Sequence, residues 1–170
     1  IPMTAKTIGM KNIYKNRSFT TDEVSLSYGS GLVGSWHFNE GSGVSVSDMS
    51  GQGNNGTMVN SPAWTTSGRF GNALQFNGTN QYVTVPDSSI WALGTNFSME
   101  LWVNFNNVSG AQRFISQCVS GSNAYDYIFS KAADDTVWFY FYNNGWAPGF
   151  LYWSSSPLTW STGVWYHFVA

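Results

Sequence analysis

The sequence predicts an all-β fold of two stacked antiparallel sheets, and three observations carry that reading. Short segments of alternating apolar and polar residues recur along the chain, separated by clusters of Gly, Asn, Ser and Asp. No amphipathic stretch of helical period and useful length competes with them. Aromatic residues make up 18% of the 170 residues and charged residues only 9%. In such a palette Trp, Tyr and Phe suit pleated surfaces, while Ser, Asn and Gly weaken helices.

The first clear strand begins at Gly31. Leu32, Gly34, Trp36 and Phe38 fall on one face and Val33, Ser35, His37 and Asn39 on the other, so one face is expected to pack and one to stay polar. A glycine-rich turn and an acidic loop ending at Asp48 follow. Further strands are predicted over 44–47, 56–59, 73–76, 81–85, 97–105, 113–116, 125–129, 136–142, 150–153 and 165–169. The strictest is 97–105, where Phe97, Met99, Leu101, Val103 and Phe105 alternate with Ser98, Glu100, Trp102 and Asn104, as in a half-buried antiparallel strand. Segment 136–142 differs: Val137, Phe139 and Phe141 oppose Trp138, Tyr140 and Tyr142, and both faces are apolar. An inner face is covered by the opposing sheet, so the second aromatic face needs a loop, a neighbouring chain or a ligand above it.

Charge and composition exclude several classes of function. A formal net charge of −2 without clustered Lys and Arg offers nothing to displace counterions from nucleic acid. No uninterrupted apolar run approaches the length of a bilayer span, so no membrane-spanning segment is expected. Cys118 is the only cysteine, which rules out a disulfide within the chain and a multi-cysteine zinc site; it reads as a small buried hydrophobe beside Ile115. His37 and His167 are the only histidines, too few for most transition-metal chemistry.

Six segments in order carry a resemblance. They are Gly-Leu-Val-Gly-Ser-Trp-His-Phe-Asn-Glu-Gly-Ser-Gly at 31–43, Asp-Met-Ser-Gly-Gln-Gly-Asn-Asn-Gly-Thr at 48–57 and Gly-Asn-Ala-Leu-Gln-Phe-Asn-Gly at 71–78. Tyr-Val-Thr-Val-Pro at 82–86, Phe-Ser-Met-Glu-Leu-Trp-Val at 97–103 and Trp-Tyr-His-Phe-Val-Ala at 165–170 complete the set. Together they resemble the laminin-G-like, concanavalin A-like jelly-roll family of lectins and glucanases, which implies a two-sheet antiparallel jelly-roll sandwich. Relatives continue past the Trp-x-His segment with further strands, so the resemblance implies a sandwich incomplete at its C-terminus. The stretch running from Ile8 to Val24 resembles the family's final strand and the turn after it, with Thr20 or Thr21 placed to cap a helical turn holding Asp22 and Glu23. The expected organisation is therefore residues 1–28 as the end of a preceding or permuted domain and 29–170 as a laminin-G-like domain lacking its last strands. Residues 1–28 belong to a preceding domain in a tandem array, complete this domain's own sheet as a permuted strand, or insert into a neighbouring copy by strand exchange involving Ile8 to Asn16. An unpaired sheet edge makes the last a real alternative.

The resemblance also implies chemistry. Relatives bind a structural calcium ion near the loop 48–57, and here Asp48, the carbonyl of Gly53 and the side-chain oxygens of Asn54 or Asn55 are the hard oxygen donors available; the alternative is a turn held by hydrogen bonds alone. Relatives with lectin activity stack flat aromatic rings on sugar faces. By alternation, Trp138, Tyr140, Tyr142 and Trp146 are the candidate rings and Asn143 and Asn144 the neighbouring amides, with Trp102 and Glu100 expected on the same sheet face. Glucanases of this architecture set two carboxylates on one strand. Here Glu100 is followed on its face by Trp102 and Asn104, and no such pair exists. Neither histidine lies in a nucleophile context. The expectation is a non-enzymatic module of an extracellular, cell-surface or virion-surface protein that binds a glycan or glycoprotein. The alternative is a structural building block assembled partly by strand exchange.

Overall fold

The computed structural model describes residues 3–11, 31–91, 97–118, 125–142 and 150–170. Its strands form three antiparallel sheets. The largest has six strands: β13 (Trp165–Val169), β8 (Ser98–Phe105), β1 (Met3–Lys11), β6 (Ala73–Phe76) and β5 (Ala63–Thr65) in that order, with β2 (Leu32–Trp36) also paired to β1. A four-stranded sheet runs β12 (Phe150–Ser154), β11 (Val137–Tyr142), β10 (Tyr125–Lys131), β9 (Gln112–Cys118). The third contains β3 (Ser45–Val46), β4 (Gly56–Val59) and β7 (Tyr82–Thr84). The one helical element among the described residues is a 3-10 turn at Ser89–Trp91.

Alternation decides what each strand buries. In β8, Met99, Leu101, Val103 and Phe105 point inward and are buried, while Glu100 is exposed on the outside. These side chains meet Tyr127, Phe129 and Val137 of the four-stranded sheet and Val46 and Met58 of the three-stranded one in a single core. Aromatic contacts stitch the layers: Phe105 to Phe114 at 6.1 Å, Phe114 to Phe168 at 4.9 Å and Phe129 to Phe168 at 6.1 Å between ring centroids. The six-stranded sheet is thus one layer of a sandwich, and the two smaller sheets share the other.

β1 holds the large sheet together. Along one edge it pairs with β8, from Met3↔Phe105 to Lys11↔Ser98, with a register irregularity between Ala5 and Ile8. Its other edge is divided: Met3 to Ala5 face β6, and Ile8 to Lys11 face β2. The strand therefore begins at Met3, ahead of the expected Ile8, because the Met3–Ala5 backbone finds partners on both sides. Residues 12–16, together with the expected helical turn at Thr20 to Glu23, lie outside the described residues.

Two further differences from the sequence reading have local causes. The face of β2 expected to be polar is covered: Ser35 is buried and Val33 packs against the core. The acidic loop folds over it, with Asn54 donating from Nδ2 to the Val33 carbonyl at 2.9 Å and the Ser35 amide donating to Asp48 Oδ1 at 2.9 Å. β5 was not expected; Ala-Trp-Thr after Pro62 is too short to show a period. Lys131 is fully buried, its ammonium paired with Asp135 at 2.6 Å and donating to the carbonyls of Gly110 and Ala132.

Candidate functional site

Strand alternation places two sets of aromatic side chains on opposite outer faces of the sandwich. On the outside of the six-stranded sheet, Trp102 of β8 stands directly across from His167 of β13. Their rings stack at 4.6 Å with planes 12° apart. Phe70 meets Trp102 edge-on at 5.9 Å. The Arg69 guanidinium lies 4.7 Å from the Phe70 centroid and 5.2 Å from that of Trp102. Glu100 completes the group, its carboxylate 3.6 Å from His167 Nε2.

Arg69 and Phe70 are carried on the tip of a tight turn closed by the Gly68 amide donating to the Gly71 carbonyl at 3.0 Å. A Cβ at Gly68 would collide with the carbonyls of Gly71 and Asn72, so the turn needs glycine there. Phe70 is 57% exposed. An accessible aromatic ring, a forked guanidinium donor, a carboxylate acceptor and an imidazole thus share one open surface, a combination suited to a ligand with both an apolar face and hydroxyl groups. Sequence reasoning selected Trp102 and Glu100 but missed Arg69 and Phe70. The tetrapeptide Gly-Arg-Phe-Gly, a turn with an aromatic at its tip, was the available signal.

Trp138 and Tyr140 point away from the core on the four-stranded sheet, since their neighbour Phe139 packs inward on Phe129 at 5.9 Å. Both are half-buried, opposite Ser130 and Ile128 of β10. The Trp138 indole N–H donates to the Thr136 hydroxyl, which in turn donates to Asp134 at 2.6 Å. Trp102 and Glu100 do not share this face, contrary to the sequence expectation, because alternation orients a side chain within its sheet without saying which sheet the strand joins. The Tyr142 backbone pairs with Phe150. Its side chain, and Asn143, Asn144 and Trp146, lie outside what the structure describes, as does the side chain of Cys118.

The loop after β3 was the expected calcium site, and its donor set does not fit a cation. Asp48 Oδ1 accepts from the amides of Ser35 and Ser50, and Oδ2 accepts from the Ser50 hydroxyl at 2.7 Å and the Asn54 amide at 2.9 Å. Asn55 Oδ1 accepts from the Asp48 amide, the Asn54 carbonyl accepts from the Trp36 indole, and the Gly53 carbonyl accepts from the Asn55 amide. Of the expected donors, the Asp48 carboxylate, Asn55 Oδ1 and the Gly53 carbonyl thus face protons rather than a metal, which leaves only Asn54 Oδ1 of that set. Among the described residues, no three His, Cys, Asp or Glu side chains converge. Partial burial pushes the Asp48 carboxyl up, but the Ser50 hydroxyl and the amides of Ser50, Ser35 and Asn54 together outweigh it and hold its pKa below the ordinary value.

Residues 77–170, more than half of the chain, match the Laminin_G_3 model, described as the Concanavalin A-like lectin/glucanases superfamily. The chain belongs to this family. Comparison with curated proteins and with solved structures gave no match. The superfamily's description joins lectins and glucanases. Within the matched region of this laminin-G-like domain lie β8 and β13, hence Glu100, Trp102 and His167, whereas Arg69 and Phe70 precede it.

Proposed function

We propose that this laminin-G-like domain is a non-catalytic module that recognises a carbohydrate or glycoprotein, acting outside the cell at a cell or virion surface. The observation that carries the reading is the exposed group of Phe70, Arg69, Trp102, His167 and Glu100 on the outer face of the six-stranded sheet. Phe70 offers a ring edge and face to a pyranose, and the flanking charged groups supply directional hydrogen bonds to hydroxyls. Glu100 is engaged with His167 rather than set opposite a second carboxylate, which argues for binding without bond cleavage. No helix among the described residues is long and apolar enough to cross a membrane.

The test is a glycan array followed by titration of the best-bound oligosaccharide into the wild-type domain and into the Phe70→Ala and Trp102→Ala variants. Saturable binding that both substitutions weaken tenfold or more, with no new reducing ends released on prolonged incubation, supports the reading. Absence of saturable binding, or turnover of the sugar, refutes it.

A second reading, the domain as a building block assembled by strand exchange, is favoured by one observation: β1, separated from β2 by residues 12–31, occupies a central place in the large sheet. A strand that bridges β8 to β2 and β6 through backbone pairing can be supplied by a neighbouring copy. A monodisperse monomer at high concentration contradicts this reading, and a dimer that mixed-isotope labelling shows to share β1 supports it.

A further inference from the structure

Arg69 is held in place without being neutralised. Its guanidinium carbon lies 4.7 Å from the Phe70 centroid and 5.2 Å from that of Trp102, two rings that meet edge-on with planes 89° apart. Aromatic faces attract the cation but offer no oxygen to its N–H donors. Among the described residues, the ion pairs are Lys131 with Asp135 and His167 with Glu100, and no oxygen accepts a hydrogen bond from Arg69. The residue is exposed, on the tip of the turn closed by Gly68 and Gly71.

The Glu100 carboxylate is committed elsewhere. Glu100 lies two residues before Trp102 on β8, about 6.6 Å along the strand, opposite Val169, and its carboxylate is 3.6 Å from His167 Nε2. Arg69 instead sits against the Trp102 indole, out of ion-pair range of Glu100. The result is a cation fixed beside Phe70, itself 57% exposed, with its donors open to a ligand. A free arginine gives up rotamer entropy when it captures an anion, and one already stacked on two rings gives up less.

We propose that the sugar recognised at this face is acidic: an oligosaccharide containing a uronic acid, whose carboxylate takes the forked N–H donors of Arg69 while its ring lies against Phe70. The proposal rests on the reading that this face binds carbohydrate, and adds the charge of the ligand to it. A planar carboxylate matches a guanidinium through two parallel hydrogen bonds, stronger than those a neutral hydroxyl would make. In a uronic acid the carboxyl carbon is bonded directly to the sugar ring, so charge and apolar face are adjacent, as guanidinium and phenyl ring are here. The net charge of −2 gives the chain no general pull on polyanions, so selectivity for the acid falls to Arg69.

The test titrates matched trisaccharides into the whole chain: trigalacturonate and cellotriouronate, their carboxyl-reduced counterparts galactotriose and cellotriose, and cellotriose 6-sulfate. The expected result is saturable binding of at least one uronate, tenfold or more tighter than its neutral counterpart, with a preference that shrinks as salt is raised. Arg69→Gln is expected to bring the uronate down to the affinity of the neutral sugar, and Arg69→Lys to recover only part of the difference, because an ammonium cannot fork. Phe70→Ala should weaken acid and neutral sugar alike. The matched-pair comparison uses the wild-type chain alone, so it decides the matter even if a variant misfolds. Neutral sugars bound as tightly as the uronates, a preference that survives Arg69→Gln, or the sulfate ester bound as well as the carboxylate would each overturn the proposal and leave carbohydrate binding standing. Failure of every sugar, acidic and neutral, would overturn both.

Discussion

Trp102 and His167 face each other across the β8–β13 ladder with ring centroids 4.6 Å apart, and Phe70 and Arg69 also lie against the indole. The indole is therefore a support for the surface as well as part of it. Trp102→Ala is expected to cost about 1 kcal/mol of stability, the worth of its aromatic pairing, while abolishing sugar binding. Thermal melting and titration on the same sample separate the two effects. Phe70→Ala should leave the melting temperature almost unchanged and weaken binding alone.

Asp48 ties the acidic loop to β2 through four accepted hydrogen bonds. Its pKa is lower folded than unfolded, so the stabilisation is complete above the unfolded value, about 3.9, and is lost as pH falls through the folded one. Asp48→Ala is expected to destabilise by about 1–3 kcal/mol at neutral pH, because it strands donors on Ser35 and Asn54. It should also flatten the acid limb of the stability curve, measured by urea unfolding between pH 7 and pH 3. A calcium chelator should not shift the melting temperature of the wild-type domain.

Lys131 is 0% exposed and its partner Asp135 is 50% exposed. Asp135 also adopts a positive φ of 67°, a backbone conformation that Asn tolerates and Ala does not. Asp135→Ala is expected to be the most damaging change, by about 3 kcal/mol, since it leaves a buried ammonium unpaired. Asp135→Asn should cost less, and Lys131→Met least, because it removes the buried charge itself. Chemical denaturation of the three variants gives the order directly.

Gly34 lies against the Trp36 ring, and a Cβ there would also come within 3.0 Å of Trp91 Cη2. These indoles belong to a tilted pair at 5.7 Å in the core. Gly34→Ala is therefore expected to lose about 1–3 kcal/mol through overpacking, with a change in tryptophan fluorescence that reports displacement of the pair.

Much of the fold was legible because period-two alternation is local. β4, β6 and β13 fall on the segments 56–59, 73–76 and 165–169 that alternation picks out, and β8 differs from its expected span only at Phe97. Strand order was not legible, since pairing β1 with β2, β6 and β8 brings together residues that share no local pattern. The same nonlocality separated Trp102 from Trp138: each was correctly read as facing away from its own core-facing neighbours, yet the two strands belong to opposite layers. Asp48 shows a different limit. A carboxylate beside two asparagines reads equally well as a cation cage or a hydrogen-bonded turn, and only the positions of the Ser35, Ser50 and Asn54 amides decide it.

The surface built by Phe70, Arg69, Trp102, His167 and Glu100 is proposed to bind sugar without cleaving it. Calorimetric titration of the array-selected oligosaccharide into wild type, Phe70→Ala and Trp138→Ala addresses it most directly. One saturable site per chain is expected, which Phe70→Ala weakens tenfold or more and Trp138→Ala leaves within twofold of wild type. Binding lost on Trp138→Ala and retained on Phe70→Ala would contradict it.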